Sequence, residues 1–448
     1  MSATPLTARI AAEHADASRA LPPRLPGSVR RRAAMAALES GGLPVARDEN
    51  WRYANLRPLE RLKFAPAAVA HLAESPAAGV QPADLPAAVP GYSRYVFVDG
   101  VFAPALSAAL RSTSAVITPL ASLADEAGAP IPTPRRGSPH ERSVDERFAL
   151  LNEAFATDGA AISVSAGGTD PARLELVFVA RADALSGASY PRVELHLEPR
   201  SKLALIERHV SSAEHASFVN SAVSVELGRG ATLQHYRLQE LAPRAVVFDT
   251  LSGQLAEDAV YRLHGIGSGA QSARSTLHVR LTGERAELSL AVVALGDRQQ
   301  VQDTFALVEH AAPRARTTQT FRGISAGRAR VAFNGKIVVS PEAAGTDSRQ
   351  SLRGLLAGPE AEIDLRPQLE IYTDEVRCSH GATAGKLDEN MLFYLLSRGL
   401  DRDAAQRLLK WAFLGDVLAK IEVPELRRQI ERRLAAQMQG APPLEELR

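Results

Sequence analysis

At 448 residues the chain exceeds the size at which one hydrophobic core stops growing, so several packed bodies or an elongated repeat are expected. Apolar residues make up 45% of it but aromatics only 5%, which points to thin, regular layers of Ala, Val, Leu and Ile. Its 52 Lys and Arg nearly cancel its 51 Asp and Glu, removing the positive field that nucleic-acid or anionic-membrane binders need.

No stretch approaches the roughly 18 uninterrupted apolar residues of a membrane span, and no short apolar leader opens the chain, so a cytoplasmic protein is expected. The first 45 residues are rich in Ala and Arg, as in an organelle transit peptide, but Glu13, Asp16 and Glu39 argue against one. They read as two helices, the second capped by Ser28 and closed at Gly41-Gly42. Trp51 and Tyr53 then supply an aromatic anchor, and residues 65–90, dominated by Ala and Pro, read as a linker. Tyr95 to Phe102 form two short strands about a tight turn at Asp99-Gly100, and Phe148, Leu151 and Phe155 mark one more helix.

Between 160 and 375 apolar residues alternate with a period of 2, interrupted by polar turns. Turns centred near 200, 229, 257, 284, 312 and 342 recur every 27 to 30 residues, and Arg366-Pro367 reads as a further turn. A two-strand unit of this length cannot cover its own apolar face, so successive units must stack into a β-helix or similar solenoid. A sandwich of evenly spaced hairpins is the alternative. After Gly385 the period becomes 3.6. Asp388 and Asp401 cap helices, Gly399 ends the first of them, and Pro424 opens a third. The expected layout is mainly β with helical ends: an N-terminal helical region and linker (1–95), a strand and helix connection (96–159), a β-helix core (160–385) and a C-terminal helical domain (386–448).

The single cysteine, Cys378, excludes internal disulfides and any self-contained four-thiolate metal site. In an extended strand Cys378 and His380 project to the same side, their Cα atoms about 6.5–7 Å apart, so both reach one metal as half a site. A buried structural Cys beside a hydrogen-bonded His is the bland reading of the same pair. The other histidines, including His196, His209, His215, His235, His264, His278 and His310, have no metal-binding spacing and are expected at the surface. Gly265-Ile266-Gly267-Ser268-Gly269 lies among strand repeats and opens no helix, so it is not a nucleotide loop. Acidic residues are expected mostly in turns, unlike the gathered carboxylates of a β-helix carbohydrate-active enzyme, the runner-up class.

Three stretches carry a resemblance: Glu49-Asn50-Trp51-Arg52-Tyr53, Arg366-Pro367-Gln368-Leu369-Glu370-Ile371, and Asp374 to Gly385 followed by Phe393-Tyr394-Leu395 and Ser397-Arg398-Gly399. On these the chain resembles the SufB/SufD family of iron-sulfur cluster assembly proteins, and its lone cysteine fits the SufD side. The resemblance implies a right-handed parallel β-helix core and a non-catalytic scaffold role. It also implies a heterodimer with SufB through joined β-helix edges, and a SufC ATPase docked on the C-terminal helices. His380 matches the family histidine that faces SufB and helps hold a transient iron-sulfur cluster, with Cys378 beside it. Leu408, Leu409, Trp411 and Phe413 are expected to anchor SufC, Trp411 foremost because buried aromatics often dominate interfaces. A homodimer of the isolated chain, or a SufB-like scaffold acting alone, are the alternatives.

Overall fold

The computed structural model describes residues 5–21, 27–67, 79–108, 114–123, 145–167 and 170–438. Much of the expected linker, at 68–78, lies outside the described residues.

Two sheets dominate, one of ten strands (sheet 1) and one of nine (sheet 2). From residue 159 successive strands alternate between the sheets, and from Ala172 onward each pairs in parallel with the preceding solenoid strand of its own sheet. The chain is therefore a parallel β-solenoid, mainly β with helical ends. In sheet 1, Lys202 pairs with Thr232, Thr232 with Val260, Val260 with Glu287 and Glu287 with Arg316. Because paired residues share a face, each register position becomes a column running the length of the rod. One inward column reads Leu203, Leu233, Tyr261, Leu288, Thr317, Ser348 and Cys378. The interior between the sheets is mostly Leu, Val, Ile and Ala, as the low aromatic content requires.

At one corner of the solenoid successive coils turn through a residue in the left-handed region. Gly230 adopts it freely, while Arg200, Asp258, Arg285 and Arg314 adopt it at φ between +56° and +63°. These turns stack into an exposed ladder in which Arg285 donates to Glu257, Asp258 and Glu284.

Helices cover the outer faces. Alongside sheet 2 lie α1 (Pro5–Ala17), α2 (Ser28–Gly41) and α3 (Arg147–Phe155). Trp51 is the anchor there: buried, packed on Phe148 at 5.2 Å between ring centres, with the Arg274 guanidinium 4.5 Å above its ring. Phe64, Phe155, Tyr190, Phe218 and Phe248 gather at the same junction, where helices meet the sheet. At the other end α4 (Glu389–Ser397), α5 (Arg402–Leu418) and α6 (Pro424–Gln437) follow the last coil. The latter two fold back over sheet 1, where Trp411, Leu414 and Ile430 meet Ile206, Tyr236 and Val293. Asp388 accepts from the backbone N–H groups of Asn390 and Met391, so Asp388→Ala is expected to destabilise α4 by about 1 kcal/mol, read as a lower local protection in hydrogen exchange.

Several expectations need correction. Ser28 is the first residue of α2, and the cap position belongs to Gly27. Arg366-Pro367 is no turn: both lie inside the strand Glu362–Ile371, the last of sheet 2, where an edge tolerates the lost N–H. The histidines are not mainly at the surface; His209, His235, His264, His278 and His310 are buried, while His196 is exposed. Nor are the acids confined to turns, since Glu175, Glu207, Asp249, Asp303 and Glu309 are buried on strands.

Candidate functional site

The two ends of the solenoid differ. At the N-terminal end the sheets finish in chain that turns back on itself: Val101–Phe102 pairs antiparallel with Ser93–Val98, and Ala115–Pro119 antiparallel with Gly159–Val164. At the C-terminal end sheet 1 stops at Val376–Gly385 and sheet 2 at Glu362–Ile371, and among the described residues neither strand has a neighbour on its far side. Each of these edges is 10 residues long, and long bare edges are what soluble proteins normally shield. Space is open beside the first: a Cβ at Gly381 or Gly385 would meet nothing within 4 Å.

Cys378 and His380 lie on that last strand itself, two residues inside an unbroken parallel pairing. Ser348 lies beneath Cys378 and Gln350 beneath His380 in the inward columns. Both residues therefore face the solenoid interior at its uncovered mouth, on the same side as expected from their spacing. Cys378 packs against the end of the aliphatic core and is half-buried, while His380 is exposed. Burial pushes the Cys378 thiol up, a backbone hydrogen bond from Ser348 opposes this, and the Asp347 carboxylate adds to it. A raised thiol is mostly protonated at neutral pH and is a poor ligand until a cation displaces its proton. Among the described residues no group of three or more His, Cys, Asp or Glu that could hold a metal ion is gathered, at this pair or elsewhere.

The columns behind the mouth are polar as well. Thr317, Ser348 and Cys378 follow one another in the first, and Gln319, Gln350 and His380 in the second. His310, from sheet 2, approaches Thr317 at 2.9 Å. Burial pushes the His310 imidazole down to about 4.

Deeper in the rod is a charged cluster that sequence reasoning missed. Arg237 donates to Glu207 (2.9 Å) and to Asp249 (2.7 Å), and His209 and His235 contact the two Glu207 oxygens at 2.7 and 3.0 Å. Burial alone would raise the Glu207 carboxyl; the Arg237 charge and the histidine hydrogen bonds outweigh it and hold it well below the usual carboxylate range. Burial lowers the His235 imidazole although Glu207 opposes this, so the ring is neutral, and its second nitrogen meets the Tyr261 hydroxyl at 3.1 Å. The signal was available: Glu207 and His209 share the parity of inward Leu203 and Leu205, as His235 and Arg237 share that of Leu233.

The C-terminal helices distribute the expected anchors unevenly. Trp411 is fully buried against the chain's own sheet 1, because α5 folds back over it, while Leu408, Leu409 and Phe413 are half-buried. Of the described C-terminal helices, α4 carries the large apolar side chains that are exposed to solvent: Met391, Phe393 and Tyr394 are 55 to 72% accessible. No described helix is long and apolar enough to cross a membrane.

Comparison with known proteins shows the family. Residues 178–413 match the family described as SUF system FeS cluster assembly, SufBD core domain. The chain is 31% identical to the iron-sulfur cluster assembly protein SufD of Escherichia coli, over 89% of this chain and 90% of that protein. It is 28% identical to an iron-sulfur cluster assembly SufBD family protein of Synechocystis, over 90% and 89% of the two chains. A chloroplastic protein of Arabidopsis thaliana, ABCI7, is 31% identical over 54% of this chain and 51% of its own. The solenoid, the matched core and the near full-length similarity together make this chain a SufD-type member of the SufBD family, with a role in iron-sulfur cluster assembly.

Proposed function

We propose that the chain is a non-catalytic, cytoplasmic scaffold subunit that joins SufB edge to edge, docks the SufC ATPase through its C-terminal helices, and contributes His380 to a nascent cluster. The observation that carries this reading is the last coil, uncovered among the described residues, with Cys378 and His380 side by side at its mouth and no third His, Cys, Asp or Glu among the described residues gathered with them. A thiolate-bearing partner laid against the bare strands would cover the edges and complete the ligand set in one step. The cluster is cargo, built at the junction and passed on. His380, the exposed member of the pair, is the ligand this chain offers first, with the half-buried Cys378 next to it. For SufC, Leu408, Leu409 and Phe413 are only half-buried and continue towards the exposed Met391, Phe393 and Tyr394, whereas Trp411 supports that face from behind.

Co-expression with SufB and SufC chains, followed by co-purification and anaerobic reconstitution, tests the reading. The three are expected to purify together. His380→Ala should lower cluster loading of the complex by about tenfold while leaving the chain folded. Normal loading of the variant complex would remove His380 from the mechanism, and failure to co-purify would remove the partners.

A further inference from the structure

Directly beneath His380 sits a polar group whose role nothing above explains. Gln350 is 4% exposed, and its side-chain oxygen Oε1 is buried without a hydrogen-bond partner. Its amide orientation is settled by its neighbours: Nε2 donates to Gln319 Oε1 at 3.1 Å and to the Gly335 carbonyl at 3.0 Å. The carbonyl can only accept, so the nitrogen belongs there and the oxygen is the free end. Gly335 makes this packing possible, since a Cβ at that position would lie 2.8 Å from Gln319 Oε1 and 3.0 Å from Gln350 Nε2. Two glutamines on successive coils and a glycine from the opposite sheet thus hold one acceptor fixed below the mouth.

In register, the residue above Gln350 is His380, on a strand whose Cα atoms lie about 4.8 Å away. Its ring is exposed and turns between rotamers at little cost. Leaving a buried carbonyl oxygen unpaired costs more than turning one surface ring. We propose that Gln350 is a positioning residue for His380: its Oε1 accepts the N–H of the imidazole, fixing one tautomer and leaving the other ring nitrogen as a bare lone pair at the mouth. An outer partner of this kind raises the basicity of a ligating imidazole and sets its direction. The consequence for cluster loading rests on the function proposed above; the hydrogen bond itself does not.

The test uses the full-length chain labelled with 15N-histidine, with the His380 signals identified by their loss in His380→Gln. Nitrogen shifts distinguish a protonated ring nitrogen from a bare one. The wild type should show one dominant tautomer, Gln350→Met a mixture of two, and Gln319→Met, which keeps Gln350 held by Gly335, the wild-type pattern. An unchanged tautomer in Gln350→Met overturns the proposal and means that solvent satisfies the carbonyl. Should Gln350→Met not fold, Gln350→Leu, which removes the amide at a column position that already holds Leu290, must show the same mixture of two tautomers, and retention of the single tautomer overturns the proposal equally. In the reconstituted complex Gln350→Met should load cluster about tenfold less well. A changed tautomer with normal loading leaves the positioning intact and instead counts against His380 as a cluster ligand.

Discussion

Acidification from pH 7 to pH 4 is expected to remove about 6 kcal/mol of folding stability through two buried histidines alone. Burial pushes the imidazole of His264 down to about 4, with Lys420 adding to the effect, and burial does the same for His310. In the unfolded chain both titrate near the ordinary value of about 6.5. As the pH falls through that value the unfolded state binds protons that the native state refuses, so stability declines until the pH nears 4, where the native rings also protonate. Each histidine accounts for about 3 kcal/mol over this window. The total rivals the roughly 5–15 kcal/mol that holds a typical domain together. Urea midpoints taken at pH 7, 6 and 5 should fall steadily, in a range where ordinary carboxylates stay ionised. His310→Gln should remove the share of the slope that His310 carries, about 3 kcal/mol over the full window. A midpoint that does not move between pH 7 and 5 would mean that the rings are solvated in solution.

Replacing Arg237 by Leu should destabilise the solenoid by about 3–5 kcal/mol, because Glu207 and Asp249 are left buried without their cation. The cost comes from the abandoned carboxylates more than from the lost attraction. The triple change Glu207→Leu, Arg237→Leu and Asp249→Leu is therefore expected to be far milder than the single one. Urea unfolding of the single and triple variants measures both. A single variant within 1 kcal/mol of wild type would show that water reaches the cluster, and a triple variant worse than the single would show that the charges specify the coil packing.

How much of this was legible beforehand differs from element to element. Strand alternation and regular turns disclosed the solenoid, because a period of 2 with one apolar face leaves few other ways to bury it. The helix starts at Asp388, Asp401 and Pro424 were equally legible, since capping is a local event between a side chain and the next three N–H groups. The shared facing of Cys378 and His380 followed from strand geometry. Pro367 misled because a proline reads as a turn until one knows that its strand is an edge. Trp411 misled in the opposite sense: an aromatic on an amphipathic helix has a buried side, but the sequence does not say against what.

The sequence by itself determined the repeat, the inward and outward parity of each strand, the helical end and the shared facing of Cys378 and His380, all of which depend on neighbours within a few residues. Only the tertiary structure decided what each column stacks upon. It gathered Glu207, Arg237 and Asp249, from three strands, into one buried cluster. It also set Gln350 beneath His380 and left the C-terminal coil uncovered while the N-terminal one is closed. Contacts across coils about 30 residues apart depend on register and on where stacking stops, and neither is written in any local pattern.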